Sequence, residues 1–195
     1  MKNKYVQRSR ISEKKFKEIL RFFVADLQAN QISQITGLSR NSINAYFKAM
    51  RFSIVSAYTQ YNSYTRVPLG FPQLYAIQQK EQQIILDPLP SHITQNISQA
   101  LKNQENTLVR NILQEHYNAL LDYSHKKLYT FHEVSTSQNA QHFWHFTRQR
   151  LSKFRGISAQ NTLLHLKECE FRYNYQYRDI YRMLLNHFRK HPLHF

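Results

Sequence analysis

A chain of 195 residues with 27 Lys and Arg against 12 Asp and Glu carries a formal net charge of +15, which favours a polyanionic partner, nucleic acid first. With 14% aromatic residues it is no basic disordered tail. No apolar run approaches the ~18 residues of a membrane-spanning helix, and no membrane partner is expected. The single cysteine, Cys169, excludes an internal disulfide, and together with the polar Met1 to Tyr5 start it predicts a chain that resides in a reducing cytoplasm.

Residues 1–11 are basic, with Lys2, Lys4, Arg8 and Arg10, and read either as an arm on phosphates or as a solvated tail. From Ser12 to about Leu27, the apolar positions Phe16, Ile19, Leu20, Phe23, Val24 and Leu27 recur at helical spacing, predicting a support helix. Asn30 is a candidate cap for a short helix carrying Ile32 and Ile35, and Gly37 supplies the backbone freedom of a tight turn. Ser39 is placed to cap a third helix, in which Ile43, Tyr46, Phe47 and Met50 fall on one side. Arg40, Asn41, Ser42, Asn44 and Lys48 are the residues of that helix offered to DNA, with no acidic residue among them. Ile32 to Ile43 therefore has the helix-turn-helix pattern, in which Arg and Lys suit guanine or phosphate and Asn suits adenine edges or phosphate. A three-helix protein-binding module is the bland alternative.

Phe52 to Tyr64 either extends the third helix or begins a linker, and Pro68, Gly70 and Pro72 place a boundary near Arg66 to Gly70. The expected domains are 1–66 and 67–195. Leu74 to Ile77 and Gln83 to Leu86 predict a hairpin turning near Gln79 to Gln82. Ser91 is a candidate N-cap for a helix through about Leu101, stacked on Ile93, Ile97 and Leu101. Thr107 to Ile112 suits either a strand or a helix, and Leu128 to Val134 suits a strand. From about Gln141 the pattern is helical. Phe143, Phe146, Leu151 and Phe154 form a core face, and Arg148, Lys153 and Arg155 are left toward solvent or phosphate. Gly156 ends that helix, and two more run from about Ser158 to Tyr173 and from about Tyr177 to Lys190.

Phe143-Trp144, Arg150-Leu151, Lys153 to Ile157 and Leu164 to Asn174 together resemble the C-terminal signature of a family of bacterial insertion-sequence transposases. Arg10 to Ser12 with Phe16 and Leu20, and Gly37 to Asn41, are similar to the same family's helix-turn-helix. Weaker similarity covers Ile84 to Ser91 and Tyr117 to Asp122 with Lys126, Lys127 and Tyr129. The resemblance implies an α+β chain: an N-terminal three-helix helix-turn-helix domain, then a truncated ribonuclease H-like (RNase H-like) α/β remnant with a helical C-terminal region. It implies double-stranded DNA as partner, an element's terminal inverted repeat as target, a bacterial nucleoid location and a second copy of the chain as the candidate protein partner. Arg148, Arg150, Lys153 and Arg155 would hold the flanking backbone, so that affinity falls with salt.

In that family two aspartates and a third residue, glutamate or asparagine, hold two divalent metals that activate the attacking oxygen. Hard cations such as Mg²⁺ need carboxylate ligands. Between Asp26 and Glu81 this chain has no acidic residue, so the first ligand is missing. The three family positions fall near Pro72, Ile112 and Gln141, with Glu115 the carboxylate nearest the second. No catalytic or metal-binding residue and no cofactor is therefore assigned, and Mg²⁺ enters only if the ligands have been relocated. The expected function is a catalytically inactive, transposase-like DNA-binding protein. An active transposase with relocated ligands, and a domesticated transcriptional regulator or protein-interaction subunit, are the alternatives. Glu168 and Glu170, two apart on a helix, are expected to pair with arginines instead of acting as an acid and base. His142 with His145, and His187 with His191, are read as surface or phosphate-facing, and Cys169 as a buried small hydrophobe.

Overall fold

The computed structural model describes residues 3–59, 74–89, 91–103, 105–113, 117–130, 134–154 and 156–195. The chain is α+β and divides into two compact units, Met1–Ala57 with Tyr175–Phe195, and Tyr58–Asn174. The expected cut at 66/67 lies outside the described residues. The final helix departs from the expected division, because it packs with the N-terminal unit and not with the second.

The first unit is built on α1 (Glu13–Val24), α2 (Ala29–Thr36) and α3 (Arg40–Tyr58). Ser12 caps α1 by accepting from the Lys15 N–H at 3.2 Å. The start of α2 corrects the expectation for Asn30, which lies inside the helix. The N-cap is Gln28, whose own N–H donates to Gln31 Oε1 at 2.9 Å. Gly37 ends α2 at φ 72°, a left-handed conformation that a residue without Cβ adopts at no steric cost. Phe16, Ile19, Leu20, Phe23, Ile32, Ile43, Tyr46, Phe47 and Met50 are buried, as the helical spacing predicts. Ile35 is not, being 59% exposed, because an eight-residue helix turns only a narrow face inward and Ile32 occupies it.

The last helix, α8 (Ile180–Lys190), is capped by the Asp179 side chain. It lays Leu184 and Phe188 into this same core, with Phe188 edge-on to Phe16 at 6.1 Å. Beyond α8, Val6 and Leu193 form a parallel bridge in which the Gln7 N–H donates to the Leu193 carbonyl and the Leu193 N–H to the Tyr5 carbonyl. Tyr5 and Val6 are buried, and Tyr5 stacks on Phe16 at 5.4 Å. Residues 3–11 are thus neither a free arm nor a solvated tail.

The second unit is a four-stranded antiparallel sheet of order β2-β1-β3-β4 between two pairs of helices. The strands are β1 (Leu74–Lys80), β2 (Gln83–Pro88), β3 (Ala119–Asp122) and β4 (Lys127–Thr130). On one face, Tyr75, Ile77, Leu86 and Leu121 pack against α6 (Val134–Ser152) and α7 (Ala159–Asn174) through Phe143, Trp144, Leu166 and Cys169. On the other, Leu74, Ala76 and Leu120 meet α4 (Ser91–Lys102) and α5 (Asn106–Leu113) through Ile97, Ala100, Val109 and Leu113. A strand covered on both faces needs no polar alternation, which is why β1 and β3 read as continuous apolar runs. Thr107 to Ile112 is helical. Of the strand expected over Leu128 to Val134, residues up to Thr130 lie in β4, 131–133 lie outside the described residues, and Val134 opens α6, several residues before the helical start expected near Gln141.

Every residue from Leu164 to Arg172 on α7 is buried, charges included. Glu168 accepts from Arg172 Nε at 2.8 Å and from the Arg150 guanidinium of α6. Lys167 donates to Glu170 Oε2 at 2.7 Å, and the same oxygen accepts from the Leu86 N–H at 3.0 Å. Asn174 brackets Ile84, accepting from its N–H at 2.9 Å and donating to its carbonyl at 2.8 Å. Glu170 and Asn174, one helical turn apart, thereby satisfy the outer backbone groups of edge strand β2, which would otherwise be a template for pairing with another chain.

Burial pushes the Glu170 carboxyl up to about 7, opposed by Lys167. Its folded-state value lies above the ordinary 4.5, so its contribution to stability is complete below that value and is lost as pH rises through about 7. Urea midpoints are expected to fall across this window in the native protein and to fall less in Glu170→Gln. Equal slopes in the two would show that Glu170 does not govern this pH dependence.

Candidate nucleic-acid interface

The exposed surface of α3 begins at its cap, where the Ser42 N–H donates to Ser39 Oγ at 3.1 Å and the two hydroxyls lie 2.9 Å apart. Arg40, Asn44 and Lys48 follow at four-residue intervals and form one stripe, with Asn41 and Ser42 beside it, all five exposed. Lys48 Nζ also lies 5.9 Å from the ring of Phe52, which is itself exposed. The opposite face is pinned by Ile43, Tyr46, Phe47 and Met50, so the polar stripe faces away from the core.

The charge is unevenly divided. Fifteen of the 27 basic residues and four of the 12 acidic ones belong to the first unit, an excess of eleven positive charges in 78 residues. Its acidic residues are Glu13, Glu18, Asp26 and Asp179, none of them on α2, the Gly37 turn or α3. Glu13 pairs with Lys4 at 3.3 Å, and a hydrogen bond from the Lys4 backbone helps to hold its carboxyl below the ordinary range. Glu18 pairs with Lys15 at 2.9 Å, and Asp179 caps α8.

The residues expected to hold flanking DNA are not one group. Arg148 and Lys153 on the second unit are exposed, and Arg155 lies outside the described residues. Arg150 is a correction: it is 4% exposed, bonded to Glu168 and donating to Cys169 Sγ at 3.2 Å. The spacing carried the signal. Phe143, Thr147, Arg150 and Phe154 recur at four, three and four residues, so Arg150 lies on the core face of α6. The acidic side chains expected to pair with arginine divide accordingly, Glu168 taking Arg150 and Arg172, and Glu170 taking Lys167. Cys169 is buried as expected, and burial raises its thiol above the ordinary value, which leaves it a poor nucleophile.

The family's three metal-ligand positions do not meet in a described cluster. Pro72 and Glu115 lie outside the described residues. Position 112 falls in α5 and not on a strand, and Gln141 is exposed on α6. Among the described residues no three His, Cys, Asp or Glu side chains lie close enough together to share a metal ion. Nor is any described helix long and apolar enough to cross a membrane.

Sequence reasoning missed a basic and aromatic cleft on the second unit. The β3–β4 turn is held by Asp122, which accepts from the His125 N–H at 3.0 Å and lies 2.7 Å from His125 Nδ1. This turn places Lys126 Nζ 3.3 Å from the Tyr123 ring centroid, while Arg148 of α6 lies over Trp144 at 5.9 Å. The turn residues show no periodicity, so only the pairing of β3 with β4 reveals that they adjoin α6. In comparisons with known proteins, no family model, no curated protein and no solved structure matches the chain.

The two arginines, two residues apart on one helix, are expected to behave oppositely. Arg150→Ala strips Glu168 of a buried partner and should cost about 3–5 kcal/mol in urea denaturation. Arg148→Ala should change stability by no more than about 0.5 kcal/mol. Similar losses for both would contradict the division of α6 into a core face and a solvent face.

Proposed function

We propose that this chain is a transposase-like protein that binds double-stranded DNA sequence-specifically and does not cut it. In this reading α1 to α3 form a helix-turn-helix and α3 is its recognition helix. The observation that carries it is the exposed, carboxylate-free stripe of Arg40, Asn41, Asn44 and Lys48 on a unit with eleven excess positive charges. A helix with side chains is about 10–12 Å across, close to the ~12 Å width of the major groove. Arg40 and the two asparagines would meet base edges, and Lys48 the phosphates.

The resemblance to insertion-sequence transposases suggests that the second unit is a shortened RNase H-like domain, and that the DNA target is an element's terminal inverted repeat. Phe143 to Asn174, which carry most of that resemblance, build α6 and α7 and clamp β2. These contacts are architectural, so the signature can persist in a chain that lacks the family's first carboxylate. Binding without cleavage follows, because two-metal chemistry needs negative oxygen ligands.

The test is binding and nicking of a labelled duplex carrying the terminal repeat, with Mg²⁺ or Mn²⁺ against chelator, at two salt concentrations. Tight, salt-sensitive binding with no metal-dependent product is expected. Arg40→Ala should weaken binding by about 1–3 kcal/mol and relax specificity, and Lys48→Ala should lower the salt slope by about one. Salt-insensitive binding that ignores both substitutions would remove the role given to α3, and metal-dependent nicking would overturn the non-cutting part.

A further inference from the structure

On the second unit, Lys126 and Arg148 line two adjoining clefts of about 480 and 560 Å³, and Trp144 floors both. The first is walled by Tyr123, Phe154 and Ile157, and the second by polar side chains that include Gln141, His142 and His145. The two cations are close enough that Arg148, after burial, depresses the proton affinity of Lys126. Neither has a carboxylate within ion-pair distance among the described residues. Asp122, which partly offsets the effect of Arg148 on Lys126, is itself bonded to His125.

The arrangement is held from both sides. Lys126 has φ 57°, a left-handed conformation that a residue with a Cβ enters at some cost, maintained here by Asp122 at the foot of the turn. Arg148 is anchored on α6, whose neighbouring positions Thr147 and Leu151 are buried. Two adjacent cations with no ion-paired carboxylate among the described residues, and only Asp122 acting on Lys126 from beyond contact, repel each other at a cost that a bound anion would relieve. An isolated phosphate would use only the cations and leave the flanking apolar wall unexplained. A phosphate joined to a flat apolar base uses both.

We propose that this cleft takes one nucleotide of an unpaired nucleic-acid strand, its phosphate between Lys126 and Arg148 and its base against Tyr123, Phe154 and Ile157. The strand continues past His142 and His145. Combining cations that follow the backbone with aromatic side chains that receive bases is the general physical basis of single-strand binding, and it needs no sequence readout. The site belongs to the second unit, uses none of the α3 residues, and does not depend on a duplex being bound there.

Trp144 is the only tryptophan of the chain, so its emission reports on this cleft directly. The experiment titrates the full-length protein with a single-stranded oligothymidylate, a blunt duplex and inorganic phosphate, following Trp144 fluorescence at low salt. Saturable quenching by the single strand is expected, with affinity falling about tenfold in Lys126→Gln and in Arg148→Gln, the loss of one charge-assisted contact each. Circular dichroism and thermal melts of both variants should match the native protein, since both side chains are exposed. Arg40→Ala and Lys48→Ala should leave the response unchanged. No quenching, or quenching that survives both cleft substitutions, would overturn the proposal. So would an equal response to inorganic phosphate at the same concentration, which would mark a free-anion site. Duplex binding through α3 is measured separately, so loss of either activity alone identifies which assignment has failed.

Discussion

The second unit depends on charges buried along α7. Lys167, Glu168, Glu170 and Arg172 sit in a helix with no exposed residue between Leu164 and Arg172. Burying them is costly, and the cost is offset only because each charge meets an opposite one at hydrogen-bonding distance. The geometry divides the work between two faces of the helix. Glu168 ties α7 to α6 through Arg150, and Glu170 and Asn174 tie it to the backbone of β2. An apolar helix could fill the same space but could not satisfy the outer N–H and carbonyl groups of an edge strand. The polar clamp therefore fixes the register of helix against strand as well as adding stability.

The same division explains where the positive charge of the chain goes. In the second unit several cations are consumed internally by Glu168 and Glu170, and the net excess is small. In the first unit most are left at the surface, and the α3 stripe has no acid near it in sequence. Two exposed cations of the second unit, Lys126 and Arg148, come together where a tight turn meets α6, over aromatic rings. Overall charge points only to a polyanion. The pairing of individual charges separates the side chains free to meet it from those that hold the protein together.

Much of the fold was legible locally. The cap at Ser39, the Gly37 turn, the hairpin turning at Glu81 and Gln82, and the core faces of α1 and α3 follow from short-range periodicity and turn chemistry. Local pattern failed where local signals were equal or where partners were distant. Thr107 to Ile112 has apolar spacing that suits a strand or a helix, and the packing of α5 beside α4 under the sheet decided it. Arg150 has the composition of a surface residue, and only the carboxylate eighteen positions away makes its burial tolerable. The exposed face of α3 was readable because its polar stripe lies on one helix, whereas the Lys126 and Arg148 cleft joins segments about twenty residues apart.

By itself the sequence determined the basic character of the chain, the helical period of Ser12 to Arg51, the absence of an acidic residue between Asp26 and Glu81, and the turn positions marked by glycine and serine. These are properties of single residues or of neighbours within one or two helical turns, where sterics and hydrogen bonding act over a few ångströms. The tertiary structure alone decided that α8 and residues 3–11 close the first unit, that α7 buries its charges, and which cations remain exposed. Those outcomes depend on contacts between residues far apart in the chain. Whether a charge is paired or left to solvent is set by what folds against it, and no local pattern encodes that.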